Sequence, residues 1–164
     1  MSLRPEYVYG SISLIPIEKL LASGIKGLIL DIDNTLTTHD NPKPSKGVQQ
    51  WLNDAADCGI KMIVLSNNNA ERVERFAEIL KLPFVADGRK PLVGGYKKCA
   101  DFMECKPRQV SIIGDQLFTD IWGGNRFGCM TIWVKPIEAE KMIFFKIKRF
   151  FEKKILLGYN PKQL

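Results

Sequence analysis

Short apolar runs rich in β-branched residues alternate along this chain with longer amphipathic stretches, and few folds accept that rhythm. The runs are "IKGLILDID" (25–33), "IKMIVLSNN" (60–68), "PFVAD" (83–87), "QVSIIGD" (109–115) and "MTIWVKP" (130–136). Between the first two lies "SKGVQQWLNDAADCG" (45–59), with Val48, Trp51, Leu52 and Ala55 on one helical face and Gly59 as a stop. "ERVERFAEILK" (71–81) follows the second run and puts Val73, Phe76, Ala77 and Leu80 inward. "PLVGGYKKCADFMEC" (91–105) is a weaker helix because of its two glycines, and "LFTDIWGGNRFG" (117–128) is another. Strands that are apolar without alternation, each followed by a helix, predict a parallel α/β sheet covered by helices on both faces. In such sheets the ligand crevice lies at the C-terminal ends of the strands.

What stands at those ends is polar. The first strand ends on Asp31 and Asp33, and the second on Ser66 and Asn67. Lys90 occupies the loop after the third, and the fourth ends on Asp115 with Asp120 five residues on. Side chains two apart on an extended chain point the same way, so Asp31 and Asp33 repel unless something positive joins them. A hard divalent cation removes that repulsion, and Mg²⁺ characteristically takes one or two carboxylates with waters and a substrate phosphate. Asp31, Asp33, Asp115 and Asp120 are the candidate metal residues; Asp120 is left between contacting the metal through water and capping the helix that follows. Asp31 is placed as the nucleophile, since carboxylates form aspartyl-phosphates. Asp33, one step further out, is the expected acid and base: it protonates the leaving alcohol and later takes a proton from water. Ser66 and the N–H of Asn67 are expected to bind phosphoryl oxygens, with Lys90 offsetting their charge. Lys90 is preferred to Lys97 and Lys98 because it stands in a strand-end loop.

The ordered set "DIDNTL", Ser66 in "VLSNNN", Lys90 in "GRKP" and "GDQLFTD" resembles the haloacid dehalogenase (HAD) superfamily of phosphatases. Asn34 and the "KP" soon after the third strand are similar to its class IIIA, YqeG-type branch, which is related to the phosphatidylglycerophosphate phosphatases. The resemblance implies a Rossmannoid fold and a Mg²⁺-dependent phosphatase with a phosphoaspartate intermediate. It carries over Asp31 as nucleophile, Asp33 as acid and base, Ser66 and Lys90 for phosphate, and Asp115 for metal, with the main-chain carbonyl of Asp33 as a further ligand. Only 32 residues separate Asp33 from Ser66 and 23 separate Ser66 from Lys90; each span is used up by one helix and one strand. That leaves no room for the cap domain many relatives insert, and an open site favours a large or surface-presented substrate.

Composition narrows the setting. The 164 residues suit one domain, without an internal repeat, a linker or an apolar run of the roughly 18 to 20 residues that a membrane span needs. The N-terminus lacks the charged start and apolar core of a signal peptide. Cys58, Cys99, Cys105 and Cys129 form no C-x-x-C pair, and His39 is the sole histidine, so a zinc site is not expected and the thiols read as buried hydrophobes of a reducing compartment. A cytoplasmic protein is expected, with peripheral attachment to the inner face of the membrane as a further option. His39 is assigned to a solvated loop.

Charge concentrates at one end. Residues 1–140 hold 17 basic and 17 acidic residues, whereas 141–154, "KMIFFKIKRFFEKK", hold six basic residues against Glu152. Residues 1–140 are thus read as the capless catalytic domain and 141–164 as a basic amphipathic helix attached to it. Ile143, Phe144, Ile147, Phe150, Phe151 and Ile155 fall near one side of that helix, with lysines and Arg149 over the other. Two readings stand: the helix packs on the sheet with a solvated charged face, or it lies on an anionic membrane. Nucleic acid is not expected, because no binding signature accompanies the charge. The expected substrate is a phosphomonoester, with phosphatidylglycerophosphate, a lipid phosphate, in front. The alternatives are a soluble nucleotide, sugar or phosphoprotein phosphatase, or a non-catalytic protein that accepts or binds phosphate. Asp33 separates the first group from the last, because turnover needs its proton transfer.

Overall fold

The structure, a computed structural model, describes residues 2–38, 41, 43–139, 143–159 and 161; the side chains of 143–145 and 148 fall outside that description. His39 and its expected solvated loop also lie outside the described residues. Six parallel strands form one sheet in the order β1-β6-β5-β2-β3-β4. These are β1 (Tyr7–Tyr9), β2 (Gly27–Leu30), β3 (Lys61–Leu65), β4 (Phe84–Val85), β5 (Val110–Gly114) and β6 (Met130–Val134). The helices are α1 (Ile17–Ala22), α2 (Lys46–Asp57), α3 (Ala70–Leu80), α4 (Val93–Phe102), α5 (Trp122–Phe127) and α6 (Ile143–Leu156). This is the expected α/β fold with its sheet covered on both faces.

Burial explains the strands. All four residues of β2 and all five of β5 are buried, which is why neither run alternates in polarity. One core cluster joins Leu28 and Leu30 of β2 to Trp51, Leu52 and Ala55 of α2. The opposite cluster joins Ile29 and Ile112 to Tyr96, Cys99 and Ala100 of α4. The faces read from the sequence, Val48/Trp51/Leu52/Ala55 in α2 and Val73/Phe76/Ala77/Leu80 in α3, are the buried ones. Each large apolar side chain so buried contributes about 1.5–3 kcal/mol. Ser45 caps α2 and Asn69 caps α3 through their side-chain oxygens. On α5, Gly124 lies so close to β5 that a Cβ there would collide with Ile112 Cγ2.

The chain order places the crevice. From β2 the chain moves outward to β3 and β4, then crosses back through α4 to β5, on the other side of β2. The sheet therefore changes direction between β2 and β5, and Asp31 and Asp115 each follow one of these strands directly. Between Asp33 and Ser66 the elements are α2 and β3, and between Ser66 and Lys90 they are α3 and β4.

Four elements differ from the sequence expectation. β1, a three-residue edge strand pairing with β6, and the short α1 are too brief for periodicity to reveal. The stretch 117–128 divides into a wide π-turn, Leu117–Ile121, followed by α5. In α6, Arg149 does not join a solvated charged face. It turns inward with the buried Glu152, while Ile147, Phe150 and Phe151 are about half exposed.

Candidate active site

The turn after β2 is built by Asn34. Its φ is 63°, a left-handed conformation that asparagine tolerates better than most residues. The N–H groups of Thr35, Leu36 and Thr37 then all point at the Ile32 carbonyl. The Asn34 side-chain oxygen accepts from the Glu138 N–H at 3.2 Å and its carbonyl from the Ile137 N–H at 3.1 Å. Asp31 and Asp33 thus leave a rigid loop in different directions.

Asp31 turns inward. Its Oδ1 lies 2.6 Å from Lys90 Nζ, which reaches Asp120 Oδ1 at 2.7 Å. Thr35 Oγ1 donates to Asp31 Oδ2 at 3.3 Å and lies 3.5 Å from Asp115 Oδ1. Asp31, Asp115 and Asp120 are all buried and each offers a carboxylate oxygen, with these atoms within 4.8 Å of one another; among the described residues this is the one such group of His, Cys, Asp or Glu. Asp120 owes its place to Gly114 at the end of β5, where a Cβ would stand 2.5 Å from the Asp120 carboxylate carbon. Its Oδ2 accepts from the Gln116 N–H at 3.1 Å. Asp120 therefore ties the turn before α5 through the Gln116 N–H and stands in the carboxylate group.

Lys90 is the buried lysine, whereas Lys97 and Lys98 are exposed and Lys97 pairs with Asp101. Asn67 clasps its main chain from both sides, accepting from the Lys90 N–H at 2.6 Å and donating to the Lys90 carbonyl at 3.0 Å. The side chain of Asn67 thus aims Lys90. Ser66 is buried beside it, and its Oγ accepts from the Asn68 N–H at 3.1 Å. Asp33 stands apart from the carboxylate group: it accepts from Asn68 Nδ2 at 2.6 Å and pairs with Arg72 Nη2 at 3.1 Å, both at the start of α3.

Burial sets the electrostatics. It pushes the Asp31 carboxyl up from 3.8 to about 7, against the pull of Lys90, and Asp120 beside it adds to the rise. Burial likewise pushes Asp115 well up, against Arg149, with Asp31 and Asp120 contributing. The Lys90 ammonium is disfavoured by burial, but Asp120 and Asp31 more than offset this and hold it above the ordinary lysine range. Asp31, Asp115 and Asp120 crowd three buried carboxyl groups into a hollow of oxygen ligands, with Lys90 against Asp31 and Asp120 and Arg149 against Asp115. That is the donor set of a hard divalent cation.

Sequence reasoning missed Arg149 and Glu152. Arg149 Nη2 pairs with Asp115 Oδ2, and its Nη1 donates to the Asp115 carbonyl at 2.6 Å and to Glu152 Oε2 at 2.8 Å. Glu152 Oε1 accepts from the Leu117 N–H at 2.9 Å. Trp133 Nε1 donates to the same Asp115 carbonyl at 2.7 Å. No local pattern announces these roles, because they depend on how α6 docks. Thr35 stood inside the quoted "DIDNTL" and could have been singled out there. Among the described residues, no helix is long and apolar enough to cross a membrane.

Comparison with known proteins places the chain in a family. Residues 2–137 match the family model of the mitochondrial PGP phosphatases. The chain is 38% identical over 157 residues to a probable phosphatase, YqeG, of Bacillus subtilis, covering 96% of this chain and 91% of that protein. It is 28% identical over 127 residues to the chloroplastic phosphatidylglycerophosphate phosphatase 1 of Chlamydomonas reinhardtii, covering 72% of this chain and 47% of that protein. In fold it is similar to NagD of E. coli K-12, with a TM-score of 0.57 at 15% identity over 73% of this chain and 93% of that one. It is also similar to the deoxy-D-mannose-octulosonate 8-phosphate phosphatase of Haemophilus influenzae, with a TM-score of 0.54 at 18% identity over 85% and 91%. With its HAD-type sheet and crevice, the chain belongs to the PGP phosphatase family and is a YqeG-type phosphatase.

Proposed function

We propose that the chain hydrolyses a lipid phosphomonoester of the phosphatidylglycerophosphate type, through a phosphoaspartate on Asp31 and with Mg²⁺ as cofactor. The observation that carries this is the separation of the two aspartates. Asp31 lies in the carboxylate group under Lys90, while Asp33 is held outside it by Asn68 and Arg72. A nucleophile and a proton carrier need such different surroundings.

Asp31, Asp115 and Asp120 would hold the cation, together with the main-chain carbonyl of Asp33. When bound, Mg²⁺ supplies positive charge that lets Asp31 ionise and that balances the phosphoryl oxygens. Asp31 Oδ attacks the phosphorus; the P–O bond to the alcohol breaks, and Asp33 gives that oxygen a proton. Asp33 then takes a proton from the water that hydrolyses the aspartyl ester, and phosphate leaves. Lys90 and Ser66 bind the phosphoryl oxygens with the N–H of Asn67, and the Asn67 side chain keeps Lys90 in place. An open site without a cap, the curated relatives and the exposed apolar and basic residues of α6 support a substrate presented at an anionic membrane surface.

A hydrolysis panel tests the reading. Phosphatidylglycerophosphate, nucleoside monophosphates and sugar phosphates are offered with Mg²⁺ and with EDTA. The expected result is release of phosphate from the lipid at the highest kcat/KM and loss of release in EDTA. Equal or faster hydrolysis of a soluble phosphate overturns the lipid assignment, and full activity in EDTA overturns the metal.

A further inference from the structure

A groove of about 710 Å³ runs between α6 and the segment that leaves β6. Its floor is apolar, formed by Trp133, Ile137, Phe150 and Leu156. Phe150 and Ile137 are 55% and 47% exposed, so this floor faces solvent. Lys135, Lys146 and Lys153 stand around it, all exposed, against the single exposed acid Glu138 among the described lining residues. The inner end is closed by Arg149 and Glu152. There Arg149 and Trp133 both bond the Asp115 carbonyl, so this end of the groove lies behind Asp115.

A purely apolar floor would suit many occupants, and a purely basic rim would suit any anion. The two together, in a space within the ordinary range of small-molecule sites, fit a molecule with an apolar body and an anionic neck. We infer that this groove seats one anionic phospholipid, with its phosphodiester against the lysine rim and the first part of its acyl chains on the floor. The inference rests on the phosphatase reading above and deepens it: the groove would hold the diester and acyl part of a lipid beside α6, the helix that carries Arg149 to Asp115. Outward, Ile147 and Phe151 continue the apolar surface on α6, both about half exposed, and would let the acyl chains pass back to a bilayer.

The test uses the full chain, without substrate turnover. Dihexanoyl phosphatidylglycerol, kept below its micelle concentration, is titrated by calorimetry beside dihexanoyl phosphatidylcholine and glycerol 3-phosphate. Saturable one-to-one binding of the first is expected, with the second at least tenfold weaker and the third unable to compete. Phe150→Asp and Ile137→Asp should each weaken binding at least tenfold while hydrolysing p-nitrophenyl phosphate as the wild type does. Should Phe150→Asp fail to fold, Ile137→Asp, on the segment after β6, decides. Equal binding by the variant, equal binding of both lipids, or binding seen only with vesicles and never with monomers overturns the groove. If the monomer binds as expected but phosphatidylglycerophosphate is not hydrolysed, the groove stands and the substrate assignment falls.

Discussion

Lys90 is what allows Asp31 and Asp120 to be buried neighbours, and without a cation it does not fully compensate them. Asp31 therefore holds its proton to about pH 7 in the folded chain, whereas an ordinary carboxyl releases it near 3.8. Between those values the folded state binds more protons than the unfolded one, so stability falls as pH rises through that window and levels off above it. Asp115 is raised by the same cause and acts in the same direction. A tenfold difference in proton affinity between the folded and unfolded states is worth about 1.4 kcal/mol, so Asp31 alone contributes on the order of a few kcal/mol. Urea unfolding in EDTA should show this decline from about pH 4 to 7, with a clearly shallower one for Asp31→Asn; identical slopes would contradict the charge balance described for the site. At this scale much was legible beforehand. The strand-end positions of Asp31, Lys90, Asp115 and Asp120 followed from where apolar runs stop, and the structure brings those four together. The aim of Asn67 at the Lys90 main chain was not legible, because it depends on two loops 23 residues apart meeting in space.

Among the elements, periodicity revealed the long helices and missed the short pieces. α2 and α3 carry apolar residues at three- and four-residue spacing, so their buried faces could be read directly. β1 is three residues at a sheet edge and α1 is six residues, too little chain for either period to repeat. α6 was left open for a different reason. Its aromatic side could be read as packing on the sheet or as facing a membrane, and a buried ion pair decides its orientation, because Glu152 and Arg149 fit the end of β5 while Phe150 and Phe151 stay outside. This gives α6 a part in the site. Arg149 fixes Asp115 from behind, leaving the other carboxylate oxygen facing Thr35. Partners of this kind typically matter 10- to 100-fold in metal affinity or activity. Arg149→Met should raise the half-saturating Mg²⁺ concentration about that much, with partial recovery in Arg149→Lys, while Lys153→Met, on the exposed face, leaves it unchanged. An Arg149→Met enzyme with wild-type Mg²⁺ dependence would show that the contact is only structural.

Viewed whole, the molecule is a parallel sheet that changes direction between β2 and β5 and gathers its ionisable side chains at that point. The strand-helix rhythm required such a crevice, and the order of the motifs matched the phosphatase family to which the chain belongs. What pattern could not supply was the return of the C-terminal helix to the crevice, a contact made 34 residues from Asp115. The central claim is that phosphate passes through Asp31, with Asp33 moving the protons. It is tested most directly by trapping that species. Asp33→Asn should turn over about 100- to 10,000-fold more slowly and hold the phosphoryl group long enough for acid quench and peptide mass mapping. The account predicts one phosphoryl group, on the peptide carrying Asp31, and none in Asp31→Asn. A quenched enzyme without phosphate, or with phosphate on a peptide lacking Asp31, would contradict it.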